Sequence, residues 1–93
     1  MARRPRLRIA GVSQHVIQRG NNRQATFFAP EDQGFYLACL QRAARRHDCA
    51  IHAYVLMTNH VHLLLTPEAS ASAALLMKHL GQRYVQYLSL IHI

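Results

Sequence analysis

An α+β fold is predicted, with elements in the order β-α-β-β-α and an antiparallel sheet. Three observations predict it. Residues 53–65 are apolar, β-branched or aromatic on both sides of Thr58-Asn59, which reads as two strands joined at a turn. Segments before and after this stretch carry apolar residues at steps of three and four, the period of a helix buried on one side. A short alternation of polar and apolar residues at 13–18 supplies a strand upstream. Together these are the first five elements of a ferredoxin-like β-α-β-β-α-β unit, truncated before the final strand.

Residues 1–12 stand apart as a basic N-terminal arm, with Arg3, Arg4, Arg6 and Arg8 around Pro5. Such a segment reads as extended chain whose arginines either meet phosphate or stay solvated. The folded unit spans 13–88. Its first strand, Ser13 to Gln18, is broken by Arg19-Gly20-Asn21-Asn22-Arg23, a run of turn-forming residues with arginine at both ends. Backbone N–H groups and guanidinium groups there suit a phosphate, and the same residues also suit a plain connector. Phe27 and Phe28 are expected to anchor the loop to the core.

Pro30-Glu31-Asp32 opens a helix, since proline fits the first helical position and acids complement the positive end of the helix dipole. The helix is expected to run to about His47, with Phe35, Tyr36, Cys39, Leu40 and Ala43 as its buried stripe. Gly34 weakens its first turn slightly. Arg42, Arg45, Arg46 and His47 fall in the last turns, where positive charge suits the dipole. Asp48 begins a turn, Cys49 to Met57 forms the second strand, and His60 to about Thr66 forms the third. Thr66-Pro67 ends it. Ser70 or Ser72 is expected to cap a second helix, whose stripe is Ala73, Leu76, Met77, Leu80, Tyr84, Tyr87 and Leu88, interrupted by Gly81.

Charge narrows the partner. Eleven Lys and Arg face four Asp and Glu, a formal +7 on 93 residues, and all the bases except Lys78 are arginine. Such an excess attracts polyanions, and the planar arginine fork binds two phosphate oxygens at once. Nucleic acid is favoured over an anionic membrane surface, which would call for a basic amphipathic helix. No run approaches the ~18 apolar residues of a membrane span, and no apolar stretch follows the basic N-terminus as a signal peptide requires. Cys39 and Cys49 read as reduced, structural thiols of a cytoplasmic protein, and their spacing to the histidines fits no zinc pattern.

The chemistry centres on His60-Val61-His62. Successive side chains of a strand alternate faces, so both imidazoles point one way and Val61 the other. Two imidazoles so placed suit a shared metal ion, and they also suit an ordinary sheet-edge histidine pair. His52, earlier in the hairpin, reads as a partly exposed strand histidine.

The run Tyr54-Val55-Leu56-Met57-Thr58-Asn59-His60-Val61-His62-Leu63-Leu64-Leu65 closely resembles the signature of the REP-associated tyrosine transposases, the insertion-sequence-200-like branch of the bacterial HUH endonucleases. His15-Val16-Ile17-Gln18-Arg19-Gly20-Asn21-Asn22-Arg23 and the following Phe27-Phe28 resemble that family's opening strand and loop. The resemblance covers roughly residues 5–88.

The resemblance implies a DNA transposase that cuts and rejoins single-stranded or hairpin DNA through a 5′-phosphotyrosine. It implies His60 and His62 as ligands of Mg2+ or Mn2+, a third ligand not identified here, and a possible homodimer. It also implies a nucleophilic tyrosine beyond the end of this chain, because Tyr84 and Tyr87 fall on the apolar stripe and match no family position. Residues 89–93, Ser89-Leu90-Ile91-His92-Ile93, turn apolar where the family continues polar and basic, and read as a non-native tail. A short last strand is the alternative.

Rival readings come from other classes. A histidine-triad hydrolase needs a third histidine where Leu64 stands. A noncatalytic single-stranded nucleic-acid-binding module of ferredoxin-like fold needs no metal, and its RRM-like form needs aromatics on the sheet.

Overall fold

The computed structural model describes residues 10–19 and 26–91. Arg3, Arg4, Arg6, Arg8, Asn21, Asn22 and Arg23 lie outside the described residues. The elements are β1 (Gln14–Arg19), α1 (Pro30–Arg46), β2 (Cys49–Leu56), β3 (His60–Pro67) and α2 (Ser72–Ile91). The three strands form one antiparallel sheet in the order β1-β3-β2. This is the expected α+β, ferredoxin-like arrangement, with no further strand among the described residues.

Strand β3 is central and shows the cleanest alternation. Val61, Leu63 and Leu65 are fully buried, while His60, His62, Leu64 and Thr66 turn to the opposite face. Both helices lie on the Val61 side. Their inward residues, Tyr36, Cys39, Leu40, Ala43 and Ala44 from α1 and Leu76, Leu80 and Tyr84 from α2, form one core with the sheet. Each large apolar side chain so buried contributes ~1.5–3 kcal/mol. Among the described residues, no helix covers the face bearing His60 and His62.

Polar residues reinforce the packed side. Asp32 is completely buried, and its Oδ2 accepts the N–H groups of Phe28 (2.8 Å) and Ala29 (3.0 Å). These donors lie just ahead of α1, so the carboxylate caps the helix from within its first turn. Its Oδ1 accepts the Tyr87 hydroxyl at 2.8 Å, which ties the start of α1 to α2. Tyr87 also stacks on Phe35, with ring centres 3.9 Å apart.

Several expectations need correction. Of the two phenylalanines, only Phe27 anchors the loop, meeting Tyr36 edge-on at 5.5 Å, whereas Phe28 is exposed. In β1, Gln18 faces the helices and Ile17 the opposite side, and Gln18 Oε1 accepts the Tyr36 hydroxyl at 2.6 Å. Gly81 lets α2 approach there, since a Cβ on it would lie 3.3 Å from Gln18 Nε2. Ser72 does not cap α2. It sits inside the first turn, and its hydroxyl accepts the Ala69 N–H at 3.3 Å. Residues 89–91 continue α2 and form no strand. Asp48 takes the left-handed conformation (φ 52°) that turns the chain from α1 into β2, which a short polar side chain tolerates.

Candidate functional site

The open face of the sheet gathers His15, His52, His60 and His62. Strand pairing sets Arg19 opposite His60, Ile17 opposite His62 and His15 opposite Leu64, so β1 adds His15 and Arg19 to the face. The β2–β3 turn is fixed beside it, where Met57 N–H donates to the His60 carbonyl (2.9 Å) and Thr26 N–H to the Thr58 carbonyl (2.6 Å).

Hydrogen bonds orient both imidazoles of the pair. His60 Nδ1 lies 2.7 Å from Asn59 Oδ1, a carbonyl oxygen that can only accept. His60 therefore carries its proton on Nδ1 when neutral and leaves the Nε2 lone pair available. His62 Nδ1 lies 2.9 Å from His15 Nε2, and these two rings stack at 5.1 Å. When His62 donates from Nδ1, its Nε2 is also a free lone pair. The His62 pKa is held below the usual histidine value by desolvation first, then by the positive charges of His60, His15 and Arg19. A depressed pKa keeps the ring neutral, the form that binds metal.

The donor set suits a metal in part. Ring centres of His60 and His62 lie 4.9 Å apart. Metal–nitrogen bonds of ~2.1 Å at near-perpendicular angles put two imidazole centres roughly 4.5–5 Å apart. Among the described residues, no group of three or more His, Cys, Asp or Glu side chains is arranged to hold a metal ion. His60 and His62 therefore offer two ligands, and the rest of a coordination shell has to come from water, phosphate or another segment.

His52 stays apart from the pair. A β-bulge between Ile51 and Ala53 turns it to the open face, where Nε2 lies 2.6 Å from Thr66 Oγ1. Thr66 in turn meets Ser13 Oγ at 2.9 Å. Among the expected DNA contacts, Arg19 is the one within the described residues, exposed beside His60.

All four tyrosines lie on the helix side. Tyr36 is buried against Gln18, and Tyr84 donates to the Thr26 carbonyl at 2.7 Å. Tyr87 is bound to Asp32. Tyr54 sits opposite Leu63, whose side chain faces the core, and is half-exposed at the sheet edge. Burial raises the pKa of Tyr36, Tyr84 and Tyr87, and the Asp32 carboxylate raises Tyr87 further. Raised values hold these phenols protonated, the opposite of an activated nucleophile. Cys39 and Cys49 are free thiols in the core, pushed up by burial. The open face displays Ile17, Val55 and Leu64 between its histidines, with no Phe, Tyr or Trp from its strands, so it lacks an RRM-like stacking platform.

Sequence reasoning missed His15 and Asp32 as working residues. His15 carried a signal, an outward position on an alternating strand, but its partner became visible only with the β1–β3 register.

A three-stranded antiparallel sheet backed by two helices, with an H-x-H pair on its open face, defines a small ferredoxin-like α+β domain with a histidine-bearing sheet. The model of the family described as "Transposase IS200 like" matches residues 9–91, and the chain belongs to that family. It is thus a transposase of the IS200 type, a DNA-binding class of enzyme that cleaves and rejoins DNA. No curated protein and no solved structure matches the chain. No described helix is long and apolar enough to cross a membrane.

Proposed function

We propose that the chain is the histidine-bearing domain of an HUH single-tyrosine transposase acting on single-stranded or hairpin DNA. The observation that carries this reading is the pair His60 and His62 on one face of the sheet, each with Nδ1 engaged and with no hydrogen bond to Nε2 among the described residues. In the reaction, a tyrosine oxygen attacks a backbone phosphorus, the P–O3′ bond breaks, and the phenol proton passes to the departing 3′ oxygen. A 5′-phosphotyrosine and a free 3′-hydroxyl result. Reversal by another 3′-hydroxyl joins strands without hydrolysis. A divalent ion, Mg2+ or Mn2+, would be held by His60 and His62 and would neutralise charge developing on the phosphate oxygens.

The remaining roles fall to this chain's own groups. Asn59 and His15 orient the two imidazoles. Arg19 meets a phosphate beside His60. The arm residues Arg3, Arg4, Arg6 and Arg8 and the loop residues Asn21, Asn22 and Arg23 extend the contact along the DNA. The nucleophile is none of the four tyrosines, because none shares the histidine face. Among the described residues, β1 and β2 each pair on one side only, which supports a homodimer formed by edge pairing.

That tyrosine placement also favours a second reading, a noncatalytic single-stranded nucleic-acid-binding module. Manganese separates the two. Affinity for labelled hairpin DNA is expected to rise with manganese in the wild type and to lose that response in His60→Ala. Affinity indifferent to manganese would favour the noncatalytic module. Denaturing gels add a second check. A covalent adduct that disappears on Tyr84→Phe or Tyr87→Phe would overturn the assignment of the tyrosines.

A further inference from the structure

On the helix side, away from the histidines, α1 and α2 enclose a groove of about 300 Å3. Arg42 and Arg46, one turn apart on α1, line one wall, and His79, Gln82, Arg83 and Gln86 line the other. We infer that this groove is a second phosphate-binding track, which holds the phosphodiester backbone of a DNA segment separate from the one that meets His60 and His62. The inference rests on the DNA binding implied by the family, not on the metal.

Charge is the first support. None of the chain's four acidic residues lines the groove, and among the described residues no ion pair engages Arg42, Arg46 or Arg83. Arg42 and Arg83 both lie close enough to Cys39, at the base of the groove, to act on its thiol. Like charges gathered this way repel, and an anion between them relieves the repulsion.

The dipole of α1 accounts for Arg45 and Arg46 in its last turn. It does not account for Arg42, a turn earlier, or for Arg83, in the middle of α2 and far from either end. The spacing is the second support. Arg42 and Arg46 are ~6 Å apart along the helix axis, the scale of neighbouring phosphates on one strand. Across from them, positions 79, 82, 83 and 86 form a single stripe of α2, so the polar groups make a row rather than a point. Gln82 and Gln86 add neutral donors. His79 is fixed at one end, its Nδ1 2.6 Å from His47 Nε2.

The test is fluorescence anisotropy of a labelled hairpin oligonucleotide with a single-stranded flank, titrated with the full chain across a salt series. Arg42→Gln/Arg83→Gln is compared with Arg45→Gln/Lys78→Gln, which removes the same charge from residues outside the groove. The groove variant is expected to lower the slope of log affinity against log salt by about 2, one for each lost phosphate contact. It should also weaken binding at least tenfold at physiological salt. The control should lose less than half as much slope. Arg42→Lys/Arg83→Lys keeps the charge and should keep the slope. Equal slopes for the two glutamine variants would overturn the groove while leaving the histidine face untouched. A wild-type chain that binds no oligonucleotide would overturn the DNA reading and the groove together.

Discussion

Removing His15 should weaken metal binding at His62 without touching a ligand. In the structure His15 Nε2 lies 2.9 Å from His62 Nδ1, and the rings stack within 15° of parallel. For His62 Nε2 to bind a metal, Nδ1 must carry the proton, and His15 is the acceptor that holds it there. Loss of such a supporting partner costs ~10–100-fold in metal affinity, or about 1.4–2.7 kcal/mol. His15 is exposed, so water can partly replace it, which places the expected loss for His15→Ala near the lower end, about tenfold. His15→Gln keeps a polar atom near the Nε2 position and should recover most of the affinity. Manganese titration at pH 7.5, read from the paramagnetic resonance of the free ion, measures the ratio, with His60→Ala as the reference for a broken site. Wild-type affinity in His15→Ala, or equal losses in the Ala and Gln variants, would refute the role. Nitrogen shifts of the His62 ring give a readout independent of metal, since the Ala variant should shift its tautomer balance away from the Nδ1–H form.

Asp32→Ala should destabilise the domain by about 2–3 kcal/mol, combining a lost cap of ~1 kcal/mol with a Tyr87 hydroxyl left without its acceptor at ~1–2 kcal/mol; urea denaturation measures it, and a change below 1 kcal/mol would contradict the capping role. Tyr84→Phe should cost ~1 kcal/mol by orphaning the Thr26 carbonyl while leaving DNA affinity unchanged, as paired melting and anisotropy experiments would show. On acidification, His62 and His79 have pKa values below the unfolded value, so the native state binds fewer protons; their contribution is full above about pH 6.5 and is lost as pH falls through the depressed values. Denaturation midpoints at neutral and mildly acidic pH check the direction. On the alkaline side, Tyr36, Tyr84 and Tyr87 have raised values, so stability is full below about pH 10 and falls as pH rises beyond it; the ultraviolet titration of phenolate should then lag in the native protein and appear with unfolding.

The helices and the hairpin were legible in the sequence because their signals are local. The capping proline, the acids after it and the three-and-four spacing of Tyr36, Leu40 and Ala43 all act within one helix. The same alternation that marks β3 places both imidazoles on one face. What stayed hidden depends on partners distant in sequence. His15 and His62 are 47 residues apart, and Tyr87 and Asp32 are 55 apart. Asp32 read as a first-turn acid, and nothing local indicated that α2 would bury it. Gln18 turns toward the helices because its oxygen finds the Tyr36 hydroxyl, a partner 18 residues away. Arg42 had a sufficient local reading until Arg83 came to face it across the groove.

Packing, not the imidazoles themselves, fixes the geometry of the histidine pair. Val61, Leu63 and Leu65 are all fully buried on β3. A slip of one residue would carry these three to the open face and drive both imidazoles into the core. At ~1.5–3 kcal/mol for each apolar side chain, such a slip forfeits roughly 5–9 kcal/mol before the cost of burying the rings, comparable to the whole stability of a domain this size. The register is therefore held tightly enough for two side chains to share one ligand. The same period of two sends Tyr54, paired with Leu63, to the other side of the sheet, where the helices hold Tyr36, Tyr84 and Tyr87. On the proposed reading, a phenol that attacks phosphate beside His60 would approach across the open face, on a segment that packs against Ile17, Val55 and Leu64. Those exposed apolar side chains between the histidines give such a segment something to bury.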